Sequence, residues 1–182
     1  MVGLLRTKRS FLKAVGHDTS LSECILQCQS AIKYPPNGLP ILLYGERGVG
    51  KTFFTRLIYQ YAIEESLIDK DARLVFFNES QYEESNGREK DVQIIFGTYL
   101  DNGSQKYLGG LIARAKNGIL VIENVERLSP QCYFLLIQYM QSGEYTFLRK
   151  QGKVFKSRTR IIFTSCIDSK QNIHNAFFHS IP

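Results

Sequence analysis

The sequence predicts an α/β protein in which helices cover both faces of a parallel sheet. Four short apolar segments have the length and composition of buried strands, and longer segments with helical periodicity separate them. These strand segments are residues 41–44, 73–77, 119–123 and 160–164. A glycine-rich loop joins the first of them directly to a helix. Strands that alternate with helices form right-handed crossovers and therefore a parallel sheet.

Length and composition are those of one globular domain. The chain has 182 residues, of which 43% are hydrophobic and 22% are charged, and this balance excludes disordered and fibrous classes. No apolar run approaches the ~18 residues that a membrane-spanning helix needs. Charged residues interrupt the apolar start of the chain too early for a secretory signal. We therefore expect a cytoplasmic protein that does not contact a membrane.

The formal net charge of +6 is unevenly distributed along the chain. Residues 6–13 and 149–160 are basic stretches, whereas residues 79–91 are mostly acidic. Such stretches are usually solvated faces, although a basic stretch can steer a protein toward nucleic acid. No helix-turn-helix, zinc-finger or RNA-binding signature accompanies them, so we expect no direct sequence-specific contact with DNA.

The four cysteines are Cys24, Cys28, Cys132 and Cys166, and we expect them to be reduced core thiols. Only the first two are close in sequence, at the i, i+4 spacing of a helix rather than in a C-x-x-C clip. The three histidines complete no metal-ligand pattern with them, so a cysteine metal site is not expected.

A helix is predicted before the glycine-rich loop. Apolar residues recur with helical period over residues 20–32, the polar residues 18–20 offer an N-cap, and residues 35–38 form the stop. The residues before this helix, 15–18, could lie near a nucleotide base. A helix in this position before the loop is typical of additional-strand P-loop ATPases.

The glycine-rich loop carries the pattern G-x-x-x-x-G-K-[ST]. Its glycines let the backbone curl so that consecutive N–H groups face phosphates, and the N-terminus of the next helix points at the anion. Lys51 is expected to reach the β- and γ-phosphates, and the Thr52 hydroxyl is expected to bind Mg²⁺. The predicted nucleotide-binding residues of the loop are Gly45, Glu46, Arg47, Gly48, Val49, Gly50, Lys51 and Thr52.

The helix after the loop should end near residues 62–67 and bury one face. The residues of that face are Phe53, Phe54, Leu57, Ile58 and Tyr61. Residues 79–90 are predicted to form a polar loop or an exposed helix, residues 98–110 a turn-rich loop, and residues 111–115 a short helix.

The strand at residues 119–123 delivers a carboxylate, Glu123, at its carboxyl end. Ligands of open α/β sheets bind at that edge, so Glu123 is expected at the nucleotide site. A helix over residues 128–141 begins at Ser129-Pro130, and the last strand is followed by Ser165-Cys166.

Several segments together resemble the AAA+ ATPase domain of sigma-54-dependent transcriptional activators, in particular the levanase-operon-regulator class. The segments that carry the resemblance are residues 20–21, 31–40, 45–52, 96–97, 118–128, 141–145 and 160–162. The resemblance implies a three-layer αβα sandwich of the P-loop NTPase type over residues 15–182, preceded by a basic segment over residues 1–14. Because the chain ends where the family's fifth strand and helical lid begin, we expect a core without that lid.

Family members form rings, usually hexamers, that couple ATP binding and hydrolysis to remodelling of the sigma-54 RNA polymerase holoenzyme. The resemblance therefore implies ATP or ADP with Mg²⁺ as cofactors and a possible homo-oligomer. It implies that Glu123 occupies the Walker B position and binds Mg²⁺ with Thr52, and that Lys51, Glu123 and Asn124 form the catalytic set.

The resemblance also places a sensor of the γ-phosphate at the end of the last strand. Ser165 and Cys166 fall at the family's sensor positions, and Ser165 is expected to contact the nucleotide. Residues 148–156, with a turn at residues 151–152, match the hairpin that precedes the sensor strand.

The first departure from the family concerns the general base. The glutamate that polarises the attacking water is replaced by Asn124. A carboxamide can orient a water molecule but cannot accept its proton, and general-base catalysis is typically worth ~10²- to 10⁴-fold. Glu123 is also one methylene longer than the family's aspartate, which shifts the water shell of Mg²⁺.

Two further departures concern the partners. Residues 98–109 lack the Gly-Ala-Phe-Thr-Gly-Ala motif that touches sigma-54, so either Tyr99 or Tyr107 supplies a substitute aromatic tip or the loop no longer engages sigma-54. His179-Ser180 stands where the family has a basic pair, its arginine fingers, and such a finger can be worth ~10³- to 10⁵-fold in turnover.

The sequence therefore predicts ATP binding with very weak or absent hydrolysis. The alternative is a non-catalytic interaction module that keeps the nucleotide as a structural ligand. A small P-loop kinase is disfavoured by the helix before the loop and by the lack of an evident arginine-rich lid.

Overall fold

The structure is a computed structural model that describes residues 9–78, 90–100, 106–146 and 154–166, together with Phe177, His179 and Ile181. Its helices are α1 (Ser22–Lys33), α2 (Lys51–Glu64), α3 (Lys90–Phe96), α4 (Leu111–Arg114) and α5 (Pro130–Ser142). Its strands are β1 (Ile41–Tyr44), β2 (Leu74–Asn78), β3 (Gly97–Leu100), β4 (Lys106–Gly109), β5 (Ile119–Glu123), β6 (Glu144–Thr146), β7 (Val154–Lys156) and β8 (Arg160–Ser165). Short 3-10 helices cover Phe11–Lys13 and Val125–Arg127.

The four predicted strands form one parallel sheet in the order β1-β8-β5-β2. β5 lies between β8 and β2, and its residues Ile119 to Ile122 are fully buried. A strand that is buried on both faces reads as a continuous apolar run, which is why this segment could be identified without alternation. The predicted parallel α/β fold is therefore confirmed.

Successive residues of β5 face two separate hydrophobic cores. Ile119 and Val121 pack with α1 and α2 on one face, whereas Leu120 and Ile122 pack with α3, α4 and α5 on the other. Because side chains alternate along a strand, one apolar run supplies both layers. The result is the three-layer αβα arrangement that the sequence predicts.

The parallel topology puts the carboxyl ends of all four strands at one edge of the sheet. Asn78 pairs with Glu123 in the β2–β5 register, and Tyr44 pairs with Ser165 in the β1–β8 register. This edge is followed by the glycine-rich loop after β1 and by Asn124 after β5. The site predicted from the sequence is therefore assembled at one edge of the sheet.

Two local predictions about the helices are wrong. No side chain caps α1: the helix begins after Leu21, and the Ser22 hydroxyl donates instead to the Thr19 carbonyl. Phe53 is half exposed, whereas the other four residues of the predicted α2 face are buried. Phe53 falls just outside the buried stripe because it precedes Phe54 by one 100° step of the helix.

The segment predicted as a turn-rich loop is partly a hairpin. β3 and β4 pair antiparallel, with Tyr99 opposite Tyr107, and the tip at residues 101–105 lies outside the described residues. The two tyrosines thus lie within the paired strands, one residue before the Leu100–Lys106 pair that ends the described part of the hairpin. β6 and β7 also pair antiparallel. Of the hairpin predicted over residues 148–156 only residues 154–156 are described, and its predicted turn at residues 151–152 lies outside the described residues, as do residues 79–89.

Among the helices in the described ranges, none is both long enough and apolar enough to cross a bilayer.

Candidate functional site

The glycine-rich loop is shaped by backbone conformations that glycine adopts readily. Gly48 and Gly50 have φ angles of 82° and 93°, and Gly50 is the N-cap of α2. A side chain at either position would be strained. The loop is also attached to the sheet, because the N–H of Gly45 donates to the Ser165 carbonyl across 3.3 Å.

The ammonium group of Lys51 is held inside the curve of this loop. Its Nζ donates to the carbonyl oxygens of Gly45, at 2.6 Å, and Glu46, at 2.8 Å. It also lies 3.4 Å from the Sγ atom of Cys166. The loop therefore presents a positive charge, together with the N-terminus of α2, at the carboxyl edge of the sheet.

Two oxygen donors suited to Mg²⁺ meet beside Lys51. The Thr52 hydroxyl donates to Glu123 Oε1 at 2.9 Å, and the Asn78 amide donates to Glu123 Oε2 at 3.0 Å. Mg²⁺ prefers hard oxygen ligands and usually keeps several waters and phosphate oxygens, so Thr52 and Glu123 fit this ion. No cluster of three or more histidine, cysteine or carboxylate groups able to hold a metal occurs in the described ranges.

Asn124 has a left-handed backbone conformation, with φ 52° and ψ 55°. Asparagine tolerates this conformation better than most residues, so the residue type has a structural role besides its chemical one. Its Oδ1 atom accepts a weak hydrogen bond from the Cys166 thiol at 3.6 Å. The carboxamide thus lies in the site.

The two predicted sensor residues are in different surroundings. The Ser165 side chain is fully buried, and Ser165 meets the loop through its carbonyl oxygen. Cys166, which we expected to be a core thiol, instead lies beside Lys51 and Asn124. Its backbone N–H donates to Glu126 Oε1 at 3.4 Å, so the Glu126 carboxylate is directed to the end of β8.

A cavity of about 470 Å³ opens between the loop and the ends of β5 and β8. It is lined by Arg47, Gly48, Gly50, Lys51, Thr52, Glu123, Asn124, Arg127, Thr164 and Cys166. Three of these side chains are basic and one is a carboxylate, so the lining favours an anion. The arrangement suits a polyphosphate with a bound Mg²⁺.

Sequence reasoning missed two residues of this site. Arg127 lines the cavity from an exposed position in the turn after β5, and Asn78 orients Glu123. Asn78 directly follows the predicted strand at residues 73–77, and a polar residue at that edge was the available signal. Nothing in the sequence around Arg127, neither a motif nor a hydrophobic period, distinguishes it from other surface arginines.

A second cavity of about 420 Å³ adjoins the first and shares Gly50 and Lys51 with it. Its walls are mainly apolar and include Val15, Val49 and Phe53. Val15 belongs to the segment that the sequence places near a nucleotide base. An apolar cavity next to a cationic one suits a nucleotide, whose base is apolar and whose phosphates are negatively charged.

Cys24 also lines this second cavity, and its thiol and that of Cys28, one helical turn away, are both free. A hydrogen bond from Cys28 lowers the pKa of Cys24 to about 7, against the opposing effect of burial. The thiolate is the nucleophilic form. At pH 7 we therefore expect iodoacetamide to alkylate Cys24 several-fold faster than a cysteine of ordinary pKa, as measured by peptide mass spectrometry.

Two substitutions of Cys28 test the cause of this reactivity. Cys28→Ala removes the donor and should slow alkylation of Cys24, whereas Cys28→Ser keeps a donor and should preserve the rate. Equal rates in the two variants would contradict the role given to the hydrogen bond.

The fold is shared with solved protein structures. Solved structures of NtrX from Brucella abortus superimpose with a TM-score of 0.64 at 20% identity, covering 94% of this chain and 37% of theirs. A structure of the same protein in complex with ADP gives a TM-score of 0.64 at 21% identity, with 94% and 36% covered. At this identity the likeness shows the fold alone.

Curated relatives are regulators and chaperones. The transcriptional regulatory protein LevR of Bacillus subtilis is 30% identical over 170 residues, which are 92% of this chain and 18% of LevR. DagR of Salmonella typhimurium is 33% identical over 137 residues, 74% of this chain and 14% of DagR. The chaperone ClpB of Lactococcus lactis is 27% identical over 168 residues, 90% of this chain and 18% of ClpB. The chain thus spans less than a fifth of the length of these proteins.

The family profile described as the Sigma-54 interaction domain matches residues 14–180, nearly the whole chain. The match includes the glycine-rich loop, the Glu123 strand and the β8 strand that build the site. The chain belongs to the sigma-54 interaction domain family, whose fold is the AAA+ ATPase core.

Proposed function

We propose that this chain binds ATP or ADP with Mg²⁺ and hydrolyses ATP very weakly, as the nucleotide-binding domain of a cytoplasmic sigma-54-dependent regulator. The observation that carries the proposal is the Lys51–Thr52–Glu123 arrangement with Asn124 beside it. The first three residues supply the groups that binding needs, whereas the fourth is a carboxamide where hydrolysis needs a base.

Each residue of the site has a separate task in binding. Lys51 would exchange its carbonyl partners for phosphate oxygens, and the N–H groups of residues 45–52 would surround the same phosphates. Thr52 and Glu123 would hold Mg²⁺, with Asn78 fixing the Glu123 carboxylate. The ion held there would supply positive charge that neutralises the phosphates. The apolar second cavity would take the base.

Hydrolysis requires a water oxygen to bond to the γ-phosphorus while the bond to the β-phosphate oxygen breaks, which gives ADP and phosphate. The water must also lose a proton. Asn124 can hold this water by a hydrogen bond but cannot take the proton, so the chain retains positioning without general-base catalysis. The family resemblance implies that His179 replaces the arginine finger, and this replacement would further lower the rate.

Solved NtrX structures in complex with ADP and with ATP support the assignment of the nucleotide. Ring assembly and contact with the sigma-54 holoenzyme are proposals from family membership, and the altered residues 98–109 make sigma-54 contact the weaker of the two. The alternative, a non-catalytic module stabilised by the nucleotide, is favoured by the same Asn124.

Calorimetric titration with ATP tests the binding half directly. We expect one saturable site per chain whose affinity falls when EDTA replaces Mg²⁺, because Thr52 and Glu123 then lose the ion that links them to the phosphates. A protein that shows no saturable binding of ATP or ADP in the presence of Mg²⁺ would refute the assignment.

A further inference from the structure

A separate cavity of about 240 Å³ lies at the amino-terminal edge of the sheet, opposite the nucleotide site. It is bounded by the loop at residues 34–40 before β1, by the carboxyl end of α5 and by the start of β8. Arg160, the first residue of β8, lines it. Since β8 ends at Ser165 beside the glycine-rich loop, the length of the strand separates this cavity from the site described above.

The guanidinium group of Arg160 has no anionic partner in the described part of the chain. Its Nε atom is buried and forms no hydrogen bond. Burial lowers the pKa of Arg160, and no neighbouring carboxylate opposes that effect. By contrast, Lys33 pairs with Glu65 and Lys156 pairs with Glu144.

Other buried polar groups around the cavity are satisfied within the protein. The Tyr139 hydroxyl contacts the Ser157 and Thr159 carbonyls at 3.2 Å and accepts from the Thr159 N–H. The Thr159 hydroxyl donates toward the Ile112 and Ala115 carbonyls at 3.1 Å. The unpartnered arginine is therefore an exception in a well-connected region, and such an exception calls for an explanation.

Gly38 lies close to the Arg160 side chain. It has a φ of +76°, and a Cβ atom built on it would lie 3.4 Å from Arg160 Nε and 3.1 Å from the Ile32 carbonyl. The loop at Gly38 therefore packs close to the guanidinium at the wall of the cavity. A guanidinium presents parallel N–H groups, a geometry that binds a carboxylate in a bidentate manner.

The remaining walls select the kind of anion. Pro35, Pro36, Tyr139 and Met140 present apolar surface beside polar residues such as Asn37 and Gln141, and Arg160 is the one cation among the described lining residues. A single positive charge with apolar walls suits a monoanion that carries a hydrocarbon part, whereas a phosphate dianion would need more donors. The volume is below the range of about 300–1,000 Å³ typical of drug-sized ligand sites, so the ligand is small.

We propose that this cavity is a binding site for a small organic carboxylate, with the Arg160 guanidinium as its charge partner. The site is independent of the nucleotide site in its residues and in the observation that supports it. It therefore stands whether or not the chain binds ATP.

Nuclear magnetic resonance titration with benzoate, at constant ionic strength set by chloride, tests the proposal. Benzamide is the matched neutral probe, because it keeps the ring and removes the charge. We expect saturable benzoate shifts confined to residues such as Gly38, Gly143 and Arg160, and binding of benzamide at least about tenfold weaker, since a charge-assisted hydrogen bond is lost.

Arg160→Gln should weaken benzoate binding at least about tenfold. Arg158→Gln is the matched control, because Arg158 makes the same charge change from an exposed position two residues away, and it should bind benzoate as the wild type does. Arg160→Lys keeps the charge but loses the bidentate geometry, so its affinity should lie between the two.

Three results would each overturn the proposal: no saturable benzoate binding, equal affinity for benzoate and benzamide, or unchanged affinity in Arg160→Gln. If that variant does not fold, as judged by its amide spectrum, Arg160→Lys and the comparison of the two probes on the wild-type chain decide the question.

Discussion

Lys51→Ala is expected to weaken MgATP binding by about a hundredfold or more. Lys51 supplies the cation at the centre of the loop, where its Nζ already satisfies two carbonyl oxygens at 2.6 and 2.8 Å. Hydrogen bonds to charged groups contribute about 1.5–3 kcal/mol each, and ~1.4 kcal/mol corresponds to a tenfold change in affinity. Calorimetric titration of the variant measures the change.

Lys70→Ala is the matched control for this experiment. Lys70 is exposed and lies after α2, outside both cavities of the nucleotide site, so it removes the same charge without removing a phosphate contact. We expect its ATP affinity to equal that of the wild type. A tight ATP complex in Lys51→Ala would show that the nucleotide is bound elsewhere.

Asn124→Asp is expected to raise phosphate release by about ten- to a hundredfold. Aspartate tolerates the left-handed conformation that Asn124 adopts, so the substitution changes the chemistry while keeping the backbone. It restores a carboxylate that can accept the proton of the attacking water. The expected gain is at the low end of the ~10²- to 10⁴-fold range of general bases, because the family resemblance implies that His179 replaces an arginine finger.

Asn117→Asp controls for the substitution itself. Asn117 has a φ of 61°, close to the 52° of Asn124, but it follows α4 at the other edge of the sheet. It should leave phosphate release unchanged. If Asn124→Asp is also without effect while it still binds ATP, the non-catalytic module is the better description of the chain.

The parts of the fold that local sequence determines could be predicted. The run of apolar residues at 119–122 is buried on both faces, so its composition alone indicates a central strand. The loop could be located because phosphate binding needs backbone N–H groups and a cation close together, and glycine and lysine at a fixed spacing provide both. Ser129 caps α5 through the Cys132 N–H, as the Ser-Pro pair at its start predicts.

The parts that depend on contacts between distant segments could not be predicted. Asn78 acts on Glu123 only because β2 and β5 pair in one register. Cys166 rather than Ser165 lines the cavity, since a shift of one residue changes the face of a strand. The β3–β4 hairpin could not be predicted for a different reason: each of its strands has only four residues, and the residues between them are polar.

The most direct test of the account is to measure ATP binding and phosphate release on the same sample over a range of protein concentrations. We predict saturable, Mg²⁺-dependent binding of ATP with phosphate release below the ~1 s⁻¹ that marks the slow end of typical enzymes, at every concentration. Absence of ATP binding would contradict the proposed site. Turnover of about 10 s⁻¹ that rises with concentration would contradict the loss of hydrolysis and indicate an active ring.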